Sequence, residues 1–173
     1  MNKTILHIVL QFVILVLAQT TVFNHICLFG VAVPFVFIYL IAKLPVTTSV
    51  NWVITLGFLL GMTVDVFSDT QGMNALACTI LSAVRMPVLR LYFPREDEMS
   101  FPIPSFRSLG KAIFLKYIFS LSLVYCVLFF LIESFSFFNI MRLFLKAGAS
   151  TLLTFIIIIA IDSLTYRNRE KRL

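Results

Sequence analysis

Apolar residues fall into six blocks, 5–22, 28–44, 50–67, 73–93, 112–132 and 147–166, separated by short polar breaks. A helix that crosses a bilayer needs about 20 predominantly apolar residues. Each block therefore predicts one transmembrane helix, and residues 1–173 read as a single integral membrane domain. The second block is the shortest; it holds Pro34 near its start and is ended by Lys43 and Pro45. The first block also has features of a secretory signal, with Lys3 ahead of the apolar stretch and Val16-Leu17-Ala18 as a cleavage site. A retained first helix is the preferred reading because it completes the alternation of charge described next. The longest polar segment, 94–110, carries Pro94, Pro102, Pro104 and the run Arg95-Glu96-Asp97-Glu98. It is too short to fold alone and reads as a solvated loop, with docking of a cytoplasmic partner as the alternative.

The breaks alternate in charge. Lys3, Lys43, Arg90, Arg95, Arg107, Lys111, Lys116 and the tail Arg167-Asn168-Arg169-Glu170-Lys171-Arg172 fall on one side. The other side carries Asn24, His25, Asp69 and the stretch 133–146 with Glu133, Arg142 and Lys146. The positive-inside rule predicts six spans with both termini in the cytoplasm. Trp52, Tyr92 and Tyr166 then stand at cytoplasmic helix ends, as an interfacial aromatic belt requires.

Composition agrees with a membrane protein. Of the 173 residues, 60% are hydrophobic and 13% charged, with a mean hydropathy of +1.01. Soluble domains are about 45–50% apolar and about 25% charged, so six spans leave no room for a separate catalytic domain. The net charge of +6 is scattered through the breaks, which argues against nucleic acid. Cys27, Cys78 and Cys126 are far apart and form no metal-ligand spacing; they read as small apolar residues. His7 and His25 read as interfacial. No nucleophile–base set, phosphate loop or carboxylate pair is present, so neither an enzyme nor a cofactor is expected.

Blocks three and four hold the most informative residues. Gly57, Gly61 and Asp65 recur every fourth position and share one helical face. Small residues at that spacing let helices approach closely in lipid, and here the expected neighbour is the first or sixth helix. A carboxylate inside a span is rare and expensive. Asp65 has three readings: a cap for the following helix through backbone N–H groups at 72–75, where a helix N-terminus favours an anion; an anchor for the turn 68–72; or a ligand or proton site. Arg85 is the other intramembrane charge. It differs from Asp65 in depth by on the order of 12 Å, so Asp162 is its better-matched partner, and snorkelling toward the cytoplasm is the alternative. Pro87 is expected to kink the fourth helix. Phe129, Phe130, Phe135, Phe137 and Phe138 cluster where the fifth helix meets its outer loop, facing either lipid or a partner helix.

The pattern Gly57-Phe58-x-x-Gly61-x-x-x-Asp65-x-x-Ser68, followed by Gly72-x-x-Ala75-Leu76, resembles the bacterial rod shape-determining MreD family. Pro34 opening a short second helix that ends in Leu44-Pro45, and the basic tail, agree with it. The resemblance implies a non-enzymatic scaffold of the inner membrane that binds the bitopic protein MreC. It further implies membership of the elongation complex with MreB, a SEDS polymerase and a penicillin-binding transpeptidase. The implied fold is an all-α polytopic membrane protein of six helices, similar to the substrate-binding subunits of energy-coupling-factor transporters. That similarity supplies the rival reading, a small-molecule-binding transporter subunit, which needs polar and aromatic groups converging near the outer loops.

Overall fold

The computed structural model describes residues 2–25, 32–93, 103–134 and 140–170. The chain is all-helical: α1 (Asn2–Thr21), a 3-10 turn (Phe23–His25), α2 (Ile38–Lys43), α3 (Val50–Ser68), α4 (Met73–Tyr92), α5 (Phe106–Leu109), α6 (Lys111–Glu133) and α7 (Ile140–Glu170). Four helices are long and apolar enough to cross a membrane: α3, α4, α6 and, in α7, the stretch Leu143–Leu164. Apolar side chains cover their outer faces, among them Phe58, Met62, Val66, Leu123, Leu152 and Ile156. So much exposed apolar surface on long apolar helices fits a bundle that faces lipid. The outward face of α1 (Leu6, Leu10, Val13, Leu17) has the same character. Trp52 stands exposed at the start of α3. Pro87 lies within α4, which continues to Tyr92, and its ring is exposed; the helix forgoes the backbone N–H that proline lacks.

The second apolar block departs from the expected helix. In the described part of this block, residues 32–44, only Ile38–Lys43 is helical. A six-residue helix rises only about 9 Å. The whole stretch from Pro34 to Leu44 is nevertheless buried apart from Lys43. It runs beside α7: the Val33 N–H donates to Ser150, the Phe35 N–H to Thr154, and the Tyr39 hydroxyl to Asp162. From Ser150 to Asp162 α7 rises about 18 Å, so this strap passes through the middle of the bundle. Irregular backbone survives at membrane depth only where protein or a wet cavity satisfies its polar groups. Here side chains do so. Besides Ser150 and Thr154, the Gln19 carboxamide accepts from the Val36 N–H at 2.9 Å and donates to the Pro34 carbonyl at 2.9 Å.

Candidate functional site

The α3–α4 hairpin gathers the residues singled out in the sequence. Gly57, Gly61 and Asp65 do lie on one buried face of α3, but that face meets α4, not the first or last helix. A Cβ on Gly61 would stand 2.4 Å from the Asn74 carbonyl oxygen and 2.5 Å from the Ala75 Cα. On Gly57 it would meet the Ser82 hydroxyl at 2.0 Å. Close approach of two backbones is what these glycines provide. The turn between the helices then needs left-handed backbone at Asp69 (φ 53) and at Gly72 (φ 77), the second of which suits glycine.

Gly72 occupies the N-cap position of α4 and has no side chain to cap it. Asp65 supplies the missing acceptor from the preceding helix. Its Oδ2 accepts from the Ala75 N–H at 2.7 Å; its Oδ1 accepts from the Asn74 N–H at 3.0 Å, the Asn74 carboxamide at 2.9 Å and the Thr70 hydroxyl at 2.5 Å. These backbone donors are the second and third of α4, the positions an N-cap side chain normally serves. The positive end of the helix dipole favours the carboxylate. Of the three readings of Asp65, the cap and the turn anchor thus describe one arrangement. Ser68, at the end of α3, accepts from Asn24 at 2.6 Å and ties the hairpin to the 3-10 turn that follows α1.

Asn74 carries no weight in the sequence motif, yet it is central here. It donates to Asp65 and Thr70 and accepts from the Tyr125 hydroxyl of α6. Gln19, which holds the strap, was also passed over. Both are polar side chains inside apolar blocks, and that is the signal that finds them.

Beside this network lies a cavity of about 360 Å³. One wall is aromatic: Phe35, Phe37, Phe129 and Phe130, with the Phe35 and Phe129 ring centroids 4.7 Å apart. Gln19, Asn24, Ser68, Thr70 and Asn74 form the polar wall, and Glu133 and Lys146 also line it. Phe129 and Phe130 are 8% and 4% exposed. They turn into the bundle and offer no rim to lipid or a partner, because the strap gives them Phe35 to pack against. Phe135, Phe137 and Phe138 lie outside the described residues, as do Cys27 and 94–102 of the polar loop. The side chains of Lys3, His7, His25, Arg107, Arg142, Tyr166 and the basic tail are likewise not described. Cys78 and Cys126 are buried free thiols in α4 and α6.

The opposite end of the bundle holds the other intramembrane charges. Arg85 neither pairs with Asp162 nor snorkels; it is 0% exposed. Its Nη2 donates to the Leu44 carbonyl at the C-terminus of α2, and its Nε donates to the Tyr117 hydroxyl at 3.3 Å. Tyr117 in turn donates to the Ala42 carbonyl at 3.2 Å. Arg85 and Tyr117 therefore cap the terminal carbonyls of the short α2, where a cation is favoured. Asp162 is taken by Lys43 and the Tyr39 hydroxyl, and the Lys43 ammonium also lies 5.0 Å from the Phe114 ring centroid.

Fold and site together define a helical membrane protein in which a buried, partly unwound strap is clamped by a helix bundle. No family model matches the chain, and neither does any curated protein or solved structure.

Proposed function

We propose that this protein is a non-enzymatic scaffold of the bacterial inner membrane, of the rod shape-determining MreD kind. In this reading it binds an MreC-like bitopic protein and helps organise the elongation complex: MreB, a SEDS polymerase and a penicillin-binding transpeptidase. The chain crosses the membrane six times, the second crossing made by the strap, with both termini in the cytoplasm. The observation that carries this reading is the segment 57–76. The residues that give the resemblance, Gly57, Gly61, Asp65, Ser68, Gly72 and Ala75, all take part in one hairpin lock. A rigid hairpin in a chain so largely made of membrane helices suits a platform for other membrane proteins.

Affinity purification from native membranes tests it: an MreC-like bitopic protein should co-purify. Cysteines replacing Phe135 or Phe138 should crosslink to that protein in whole membranes. Reporter fusions after Gln71 and Ser136 should lie outside, and those after Arg107 and Leu173 inside. Purification that repeatedly yields transporter ATPase and coupling subunits in place of cell-wall proteins would overturn the scaffold reading. One observation favours the second reading, a small-molecule-binding subunit of a membrane transporter. Polar and aromatic groups do converge at one end of the bundle, around the 360 Å³ cavity.

A further inference from the structure

The cavity has a composition that the scaffold role does not use. Ligand sites are concave, largely apolar and about 300–1,000 Å³ in volume, with a few convergent polar groups; this one measures about 360 Å³. Three of its features bear on what it holds. The aromatic wall of Phe35, Phe129 and Phe130 rests on further tilted and edge-to-face contacts, with Phe35 5.1 Å from Tyr125 and Phe129 5.5 Å from Phe130. It therefore presents fixed ring surfaces, suited to a flat apolar group. Facing it, Asn24 donates to the Ser68 hydroxyl, an arrangement that leaves the Ser68 proton directed to another acceptor. Glu133 and Lys146 line the same space, at the end of α6 and near the start of α7. No ion pair joins them, in contrast to Lys43 and Asp162 at the other end of the bundle.

Two charges of opposite sign in one cavity, unpaired with each other and set against an aromatic wall, are complementary to a molecule that carries both signs itself. We infer that the cavity binds a small aromatic zwitterion, an aromatic amino acid or a compound of that chemistry. Its ring lies on the Phe wall, its ammonium faces Glu133, and its carboxylate faces Lys146 and Ser68. The unwound strap is the structural reason the site exists. Residues 32–37 form no helix, and this non-helical segment sets Val33, Phe35 and Phe37 against the cavity. The inference deepens the transporter-subunit reading by naming its ligand class, and it is independent of the scaffold reading.

The experiment is isothermal titration of the full-length protein in nanodiscs with L-tryptophan, tryptamine and indole-3-propionate. Tryptophan should bind saturably and at least about tenfold more tightly than either singly charged analogue, a factor worth about 1.4 kcal/mol. Glu133→Gln should weaken tryptophan and tryptamine but not indole-3-propionate, and Lys146→Gln should do the reverse. Both positions are solvent-accessible, so the variants fold. Equal affinity for the three probes, or indifference to both substitutions, overturns the zwitterion assignment while a small-molecule site survives. Absence of saturable binding by all three up to about 10 mM overturns the assignment, while co-purification of transporter ATPase and coupling subunits tests the transporter-subunit reading separately. Neither result touches co-purification with a bitopic partner.

Discussion

Two ends of the bundle face the same problem, a helix terminus enclosed by protein, and meet it with opposite charges. At the start of α4, Asp65 satisfies two backbone donors, a carboxamide and a hydroxyl. At the end of α2, Arg85 serves the Leu44 carbonyl and meets Tyr117, but its Nη1 has no hydrogen-bond partner. The difference follows from donor and acceptor arithmetic. A carboxylate offers about four lone-pair sites, and the first turn of a helix supplies donors in abundance. A guanidinium carries five N–H groups, more than one carbonyl and one hydroxyl can accept. A buried charge that is fully hydrogen-bonded holds structure, whereas one left partly unsatisfied gives back much of what its contacts contribute. The Asp65 end is accordingly the firmer of the two.

The largest test is Asp65→Leu, which strips the acceptor from four donors. We expect a loss of about 3 kcal/mol or more, read as collapse of the folded fraction on size-exclusion chromatography in detergent. Asp65→Asn should be intermediate. The amide oxygen still serves Thr70 and Asn74, but its NH₂ group faces the Ala75 N–H, donor against donor, at a cost of about 1–2 kcal/mol.

Gly61→Ala probes the same end through packing. Its Cβ would collide with α4 backbone, so a loss of roughly 1–3 kcal/mol is expected. Gly57→Ala should cost less, because its nearest obstacle is the Ser82 hydroxyl, and Ser82→Ala should partly restore it. Thermal melts of the four proteins decide this; equal losses at both glycines would deny that the approach is closest at Gly61.

Tyr117→Phe, at the other end, removes the bond to the Ala42 carbonyl and the acceptor of Arg85 Nε, and should cost about 1–2 kcal/mol. Smallest of all should be Arg85→Met, within about 1 kcal/mol of the parent, because losing the bonds to Leu44 and Tyr117 is offset by removing a desolvated cation. A loss at Arg85 as large as that of Asp65→Leu would erase the contrast between the two ends.

Hydropathy alone was enough to locate α3, α4, α6 and the central part of α7, because a lipid-facing helix must be apolar over its own length whatever its neighbours do. The Asp65 cap was also within reach, since the carboxylate and the N–H groups it serves are only nine and ten residues away across a short turn. Contacts between distant segments were not legible. The strap lacks helix at 32–37 because Ser150 and Thr154, 117 and 119 residues away, accept its N–H groups along with Gln19. No local pattern announces partners so remote. The same holds for the Gly57/Gly61 face, whose neighbour proved to be α4, and for Phe129 and Phe130, which turn inward once the strap supplies Phe35. Arg85 lost its expected partner for a like reason: Asp162 is taken by Lys43 and Tyr39, and only the folded chain brings the end of α2 beside Arg85. Burial in lipid is a property of each segment by itself and so is written in the sequence. Which polar group satisfies which other is a property of the assembled bundle, and only the tertiary structure decided it.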